Sequence, residues 1–157
     1  MKRLVLIVIS IILLILDNSL IPFFSIKGIY PNLLFVFAIG YSIINGKEEG
    51  IKIGVISGLL QDIFFFNVFG VNALVNMFCC FIAGVVGEDI WRDKKLIPTI
   101  AMFFITILKF LGVYIVFYFL KIDIELVRGI YVGIYNALVI FLTYTLIMKL
   151  SEIEYKK

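Results

Sequence analysis

Six apolar runs, each long enough to cross a lipid bilayer, take up most of this 157-residue chain. They are Leu4–Phe24, Ile29–Asn45, Gly50–Phe66, Gly70–Gly87, Ile97–Phe119 and Leu126–Met148, with 17 to 23 residues each. A membrane-spanning helix needs ~20 predominantly apolar residues. In lipid the backbone must satisfy its own hydrogen bonds, so such runs are expected to be helices. The expected architecture is an all-α membrane protein, a single bundle of about six transmembrane helices over residues 1–157, with no separate soluble domain. The turns are short: Ser25–Gly28, Gly46–Glu49, Asn67–Phe69 and Lys121–Glu125, with a charged loop over Glu88–Leu96.

Composition narrows the function classes. The chain is 63% hydrophobic and 16% charged, against about 45–50% and about 25% for a soluble domain. A soluble enzyme, a nucleic-acid binder and a disordered protein are ruled out. Histidine is absent, which removes the commonest general base and metal ligand. Cys79 and Cys80 are adjacent within an apolar run and read as packing residues. No nucleophile–base pair stands out, so no catalytic, metal or cofactor residue is assigned and a non-enzymatic role is expected.

Positive charge sets the expected orientation. With the N-terminus inside, Lys2, Arg3, Lys47, Lys52, Arg92, Lys94, Lys95, Lys149, Lys156 and Lys157 face the cytoplasm. Only Lys27, Lys121 and Arg128 face outward. Both termini are therefore expected to be cytoplasmic. Leu4–Leu16 is followed by Asp17, Asn18 and Ser19 with no small-x-small cleavage site, so the first run reads as a retained helix of a bacterial plasma-membrane protein.

Two constellations stand out. Gly46, Gly50, Gly54 and Gly58 recur every four residues and Asp62 continues the series, which lines one helix face with glycine. Without side-chain bulk another helix can approach closely. The stripe reads as a packing face within the bundle or a face for a partner helix. Gly129, Gly133 and Ala137 make a weaker second stripe. The other constellation is a polar layer of Asp17, Asp62, Asn76 and Lys109. Counted from Leu4, Gly50 and Ile97, the three charged residues are 13, 12 and 12 residues in, roughly 18–20 Å deep. A charge in lipid usually has a partner, so Lys109 is a candidate ion pair with Asp17 or Asp62. The layer reads as a register-fixing structural device. A cation or proton path, or a polar contact with a partner protein or small ligand, are the sharper alternatives.

The order of motifs carries a family resemblance. Span one ends Asn18-Ser19-Leu20-Ile21-Pro22, and the second opens Gly28-Ile29-Tyr30-Pro31-Asn32-Leu33-Leu34. Then follow Gly50, Gly54, Gly58-Leu59-Leu60-Gln61-Asp62 and Phe69-Gly70-Val71-Asn72-Ala73-Leu74. This pattern resembles the MreD family of rod-shape membrane proteins, most clearly over residues 16–76, with Phe69-Gly70 departing from the family's Leu-Gly pair. The resemblance implies a non-enzymatic scaffold working with MreC, and through it MreB, RodA and the elongation transpeptidase, in side-wall peptidoglycan synthesis. It also implies a fold similar to substrate-binding components of energy-coupling-factor vitamin transporters, the alternative function. Such a component needs a roomy outward pocket with convergent polar groups, and the short outer turns are expected to offer few.

Overall fold

The computed structural model describes residues 2–64, 68–89, 95–121 and 125–155. Six α-helices follow one another: α1 (Lys2–Ser19), α2 (Leu33–Asn45), α3 (Lys47–Phe64), α4 (Val71–Asp89), α5 (Leu96–Phe119) and α6 (Leu126–Tyr155), with a 3-10 turn at Ile21–Phe24 after α1. No strand occurs among the described residues. Phe65, Phe66, Asn67, Trp91, Arg92, Lys94, Lys156 and Lys157, all within the runs, turns and charge counts given above, lie outside them.

The helix ends differ from the apolar runs for local reasons. The first run breaks at Ser19, and Pro22 sits in the 3-10 turn that follows. Lys27 and Gly28, both at positive φ, form a tight turn closed by reciprocal Ile26–Ile29 backbone bonds of 3.0 Å. Helix α2 starts at Leu33, later than Ile29, because Asn32 is its cap and accepts the Phe35 N–H at 2.8 Å. Helix α3 starts earlier than its run, at Lys47. Gly46 ends α2 at φ 86°, a left-handed conformation that glycine adopts without strain. Its carbonyl then accepts the Gly50 N–H at 2.9 Å, so Gly46 is a hinge between two helices and not part of the α3 stripe. Helix α6 runs on past Met148, and the Ser151 hydroxyl donates to Asn45 Oδ1 at 2.8 Å.

Helix α2 is the centre of the bundle. Every residue from Leu34 to Ile43 is buried, as expected of a helix apolar all round. It contacts α1, α3, α4, α5 and α6, while α3 packs on α4 and α5 on α6. Helix α1 is peripheral. Its buried stripe is Leu6, Ser10 and Leu14, whereas Leu4, Val5, Val8, Ile11, Ile12 and Ile15 face outward. Outward apolar side chains continue over α5 and α6, from Ile100 and Phe104 to Leu138 and Leu142. This is a surface suited to lipid.

By length and composition, three helical stretches can cross a membrane: Val71–Glu88, Leu96–Phe119 and Val127–Ser151. Leu4–Ser19 and Leu33–Asn45 are apolar but shorter, and α3 carries Lys47, Glu48, Glu49, Lys52 and Asp62.

Candidate functional site: a polar network beside a cavity

The glycine stripe lies against α4. A Cβ at Gly50 would stand 2.7 Å from the Cys80 carbonyl, and one at Gly54 would stand 2.8 Å from the Asn76 carbonyl. At Gly58 it would collide with the backbone of Ala73 and Asn72. Helix α4 answers with glycines of its own: Gly84 meets Lys47 and Gly87 meets Ile43, again backbone to backbone. The spacing within α3 does not reveal these two. A partner helix could reach the α3 stripe only by displacing α4.

The stripe ends at Asp62, whose carboxylate caps α4. Oδ1 accepts from the Asn72 backbone and side-chain amides, each at 3.0 Å, and Oδ2 accepts from Ala73 N–H at 2.9 Å. Asp17 does the same for α2, accepting from Leu33 N–H at 2.7 Å and Leu34 N–H at 2.9 Å. A helix start leaves its first N–H groups unpaired and carries positive dipole charge. Both carboxylates therefore answer helix termini. Neither forms an ion pair with Lys109, and the expected pairing is corrected on that point. The ion pairs among the described residues, Lys47–Glu88 and Lys52–Glu49, involve half-exposed side chains at the other end of the bundle.

Lys109 instead donates to Gln61 Oε1 at 3.0 Å and lies 4.2 Å from the Phe35 ring centre, a cation–π contact. Gln61 is the hub. Its Oε1 also accepts from Asn76 Nδ2 at 3.0 Å, and its Nε2 donates to Asn32 Oδ1 at 2.9 Å. Asn32 N–H donates to Asn136 Oδ1 at 2.9 Å, and Asn136 Nδ2 reaches Thr106 Oγ1 at 3.3 Å. One continuous network thus ties α2, α3, α4, α5 and α6 together. Of the four residues expected in the polar layer, Asn76 and Lys109 belong to it; Asp17 and Asp62 flank it as caps. Gln61, Asn136 and Thr106 are not among the residues expected from sequence. A buried-amide criterion applied to the apolar runs flags Gln61 and Asn136.

Beside this network is a cavity of about 340 Å³, within the range of small-molecule sites. Asn32, Gln61, Thr106, Lys109 and Asn136 form its polar side. Phe35, Phe110, Val113, Phe117 and Val132 form its apolar side, and Tyr30, Val68, Asn72 and Arg128 complete the lining. The Arg128 guanidinium also donates to the Gly28 carbonyl. The convergent polar groups of this cavity come from the helices and from the Asn32 cap, although few were expected from the outer turns.

An all-helical bundle with an apolar exterior, glycine-packed seams and a polar network in its middle defines an integral membrane protein. Comparison with known families agrees and is more specific. The chain belongs to the MreD family: the family model described as rod shape-determining protein MreD matches residues 1–153. MreD is a rod-shape-determining component of the machinery that includes MreC and is not a known enzyme family. No curated protein and no solved structure matches the chain, and the expected likeness to transporter components is not shown.

Proposed function

We propose that this protein is a non-enzymatic, multi-pass scaffold of the bacterial elongation machinery, supporting side-wall peptidoglycan synthesis through helix contacts with MreC and associated cell-wall synthases. The single observation that carries the reading is the family match over residues 1–153. All six helices span the plasma membrane as one domain, with both termini cytoplasmic. The Lys and Arg count of ten inside to three outside supports this orientation. The three helices that fall short as independent spans, α1 to α3, cross as members of the bundle, and central α2 is shielded from lipid by its neighbours. Because the α3 stripe meets α4, partner helices meet the outward apolar faces.

Purification in mild detergent tests the reading. Co-purification of MreC and cell-wall synthases is expected, and depletion of the protein should turn rods round. Recovery of paired ATPases with a coupling subunit, from cells that stay rod-shaped, would replace the scaffold by the transporter reading.

A further inference from the structure

Lys109 is 8% exposed and lies on the buried stripe of α5 with Met102, Ile105 and Thr106. Its ammonium has three donors, and one is taken by Gln61. No carboxylate pairs with it among the described residues, since Asp17 and Asp62 each hold a helix start. The cavity opens directly at this group. A second cation, Arg128, lines the same cavity and shares one guanidinium nitrogen with the Gly28 carbonyl. Between the two cations the wall is apolar, with Phe110, Val113, Phe117 and Val132.

A buried cation with free donors facing a void is costly unless something fills that void. An apolar wall excludes a bare hydrated anion as the best occupant, because its surface would remain uncovered. We propose that the cavity binds a small amphipathic anion, its phosphate or carboxylate on the Lys109 ammonium and its apolar body against Phe110, Val113 and Phe117. Arg128 attracts the anion at the turn side and adds a second, weaker contact. The same chemistry is offered by a membrane lipid with an anionic headgroup and by a soluble amphipathic acid. The site stands whichever proteins the chain assembles with.

The test is isothermal titration calorimetry on the full chain in a nonionic maltoside detergent, with three probes: dihexanoyl phosphatidic acid, hexyl phosphate and inorganic phosphate. Saturable one-to-one binding of at least one of the two amphiphiles, and much weaker binding of inorganic phosphate, is expected. Tighter binding of phosphatidic acid assigns the source to lipid; tighter binding of hexyl phosphate assigns it to a soluble acid. Lys109→Gln should weaken the amphiphile about tenfold or more, by loss of a charge-assisted hydrogen bond. Val113→Phe, which fills the cavity and leaves Lys109 in place, should weaken it as well and decides the matter if Lys109→Gln does not fold. The proposal is overturned if neither amphiphile binds, if inorganic phosphate binds as tightly, or if binding survives both substitutions unchanged.

Discussion

The two glycine stripes of this bundle look alike in sequence and do different things. On α3, the glycines admit the backbone of α4: Gly50, Gly54 and Gly58 face main-chain atoms of Cys80, Asn76 and Ala73. On α6, the glycines admit rings. A Cβ at Gly129 would stand 2.7 Å from Phe110 Cγ, and one at Gly133 would stand 3.2 Å from Phe103 Cδ2. In lipid no hydrophobic force pulls helices together, so close packing and buried hydrogen bonds must do so. The α3–α4 seam uses both, with the carboxylate of Asp62 fixing its end. The α5–α6 side is spaced by aromatic side chains, and a cavity remains on its inner face. One half of the molecule is built for rigidity, the other for room.

That contrast can be broken from either side. The largest effect is expected at Gly58→Leu, where the new side chain meets α4 backbone that cannot rotate away. Overpacking commonly costs about 1–3 kcal/mol, occasionally more, and this site belongs at the upper end. The membrane-inserted protein should fall sharply in amount and unfold at lower temperature in detergent.

Asp62→Leu comes next. It strips three donors of a common acceptor, and leaving a buried donor unpaired costs about 1–3 kcal/mol each, less any relaxation. Since Lys109 does not pair with Asp62, adding Lys109→Leu should give no rescue. Recovery of thermal stability in the double mutant would show that the two charges do interact. Gln61→Leu should cost somewhat less, about 1–3 kcal/mol, because Asn32, Asn76 and Lys109 each lose one contact beside a cavity where groups can readjust. A fall in melting temperature smaller than that of Asp62→Leu is expected. The smallest change should come from Gly133→Ala. The nearest atom there is Phe103 Cδ2 at 3.2 Å, on a ring that needs to move only slightly, so a shift below about 1 kcal/mol is expected, within the range of milder core substitutions. A loss at Gly133 as large as at Gly58 would erase the distinction between the two stripes.

The apolar runs make the helical bundle legible in the sequence, because a lipid solvent leaves a chain few other ways to bury its backbone. The four-residue glycine period in α3 is legible for the same reason. What it faces is not: Gly84 of α4 meets Lys47 at the start of α3, and Gly87 meets Ile43 of α2, and spacing within one helix says nothing about its neighbour. The polar layer is half legible. Charge marks Asp17, Asp62 and Lys109 as out of place in lipid, yet opposite charges suggest a pair where the carboxylates cap helices instead. Capping can be anticipated for Asp62, since Asn72 and Ala73 open the next helix one short turn later. The link from Asp17 to Leu33 passes through a 3-10 turn and a two-residue hairpin, and no local pattern announces it. Gln61 escapes notice because a neutral amide beside a carboxylate draws less attention than the charge itself.

The central claim is that Lys109 is kept for what the cavity does rather than for the stability of the bundle. An unpaired charge in the bundle interior is costly, so replacing it by an apolar residue of similar volume is expected to be neutral or stabilising. The direct measurement is Lys109→Met, followed in the same cells for protein amount, melting temperature in detergent and ability to restore rod shape after depletion. Normal amount, a melting temperature equal to or above that of the wild type, and round cells are expected. A variant that restores rods, or one that loses stability and shape together, would contradict the claim.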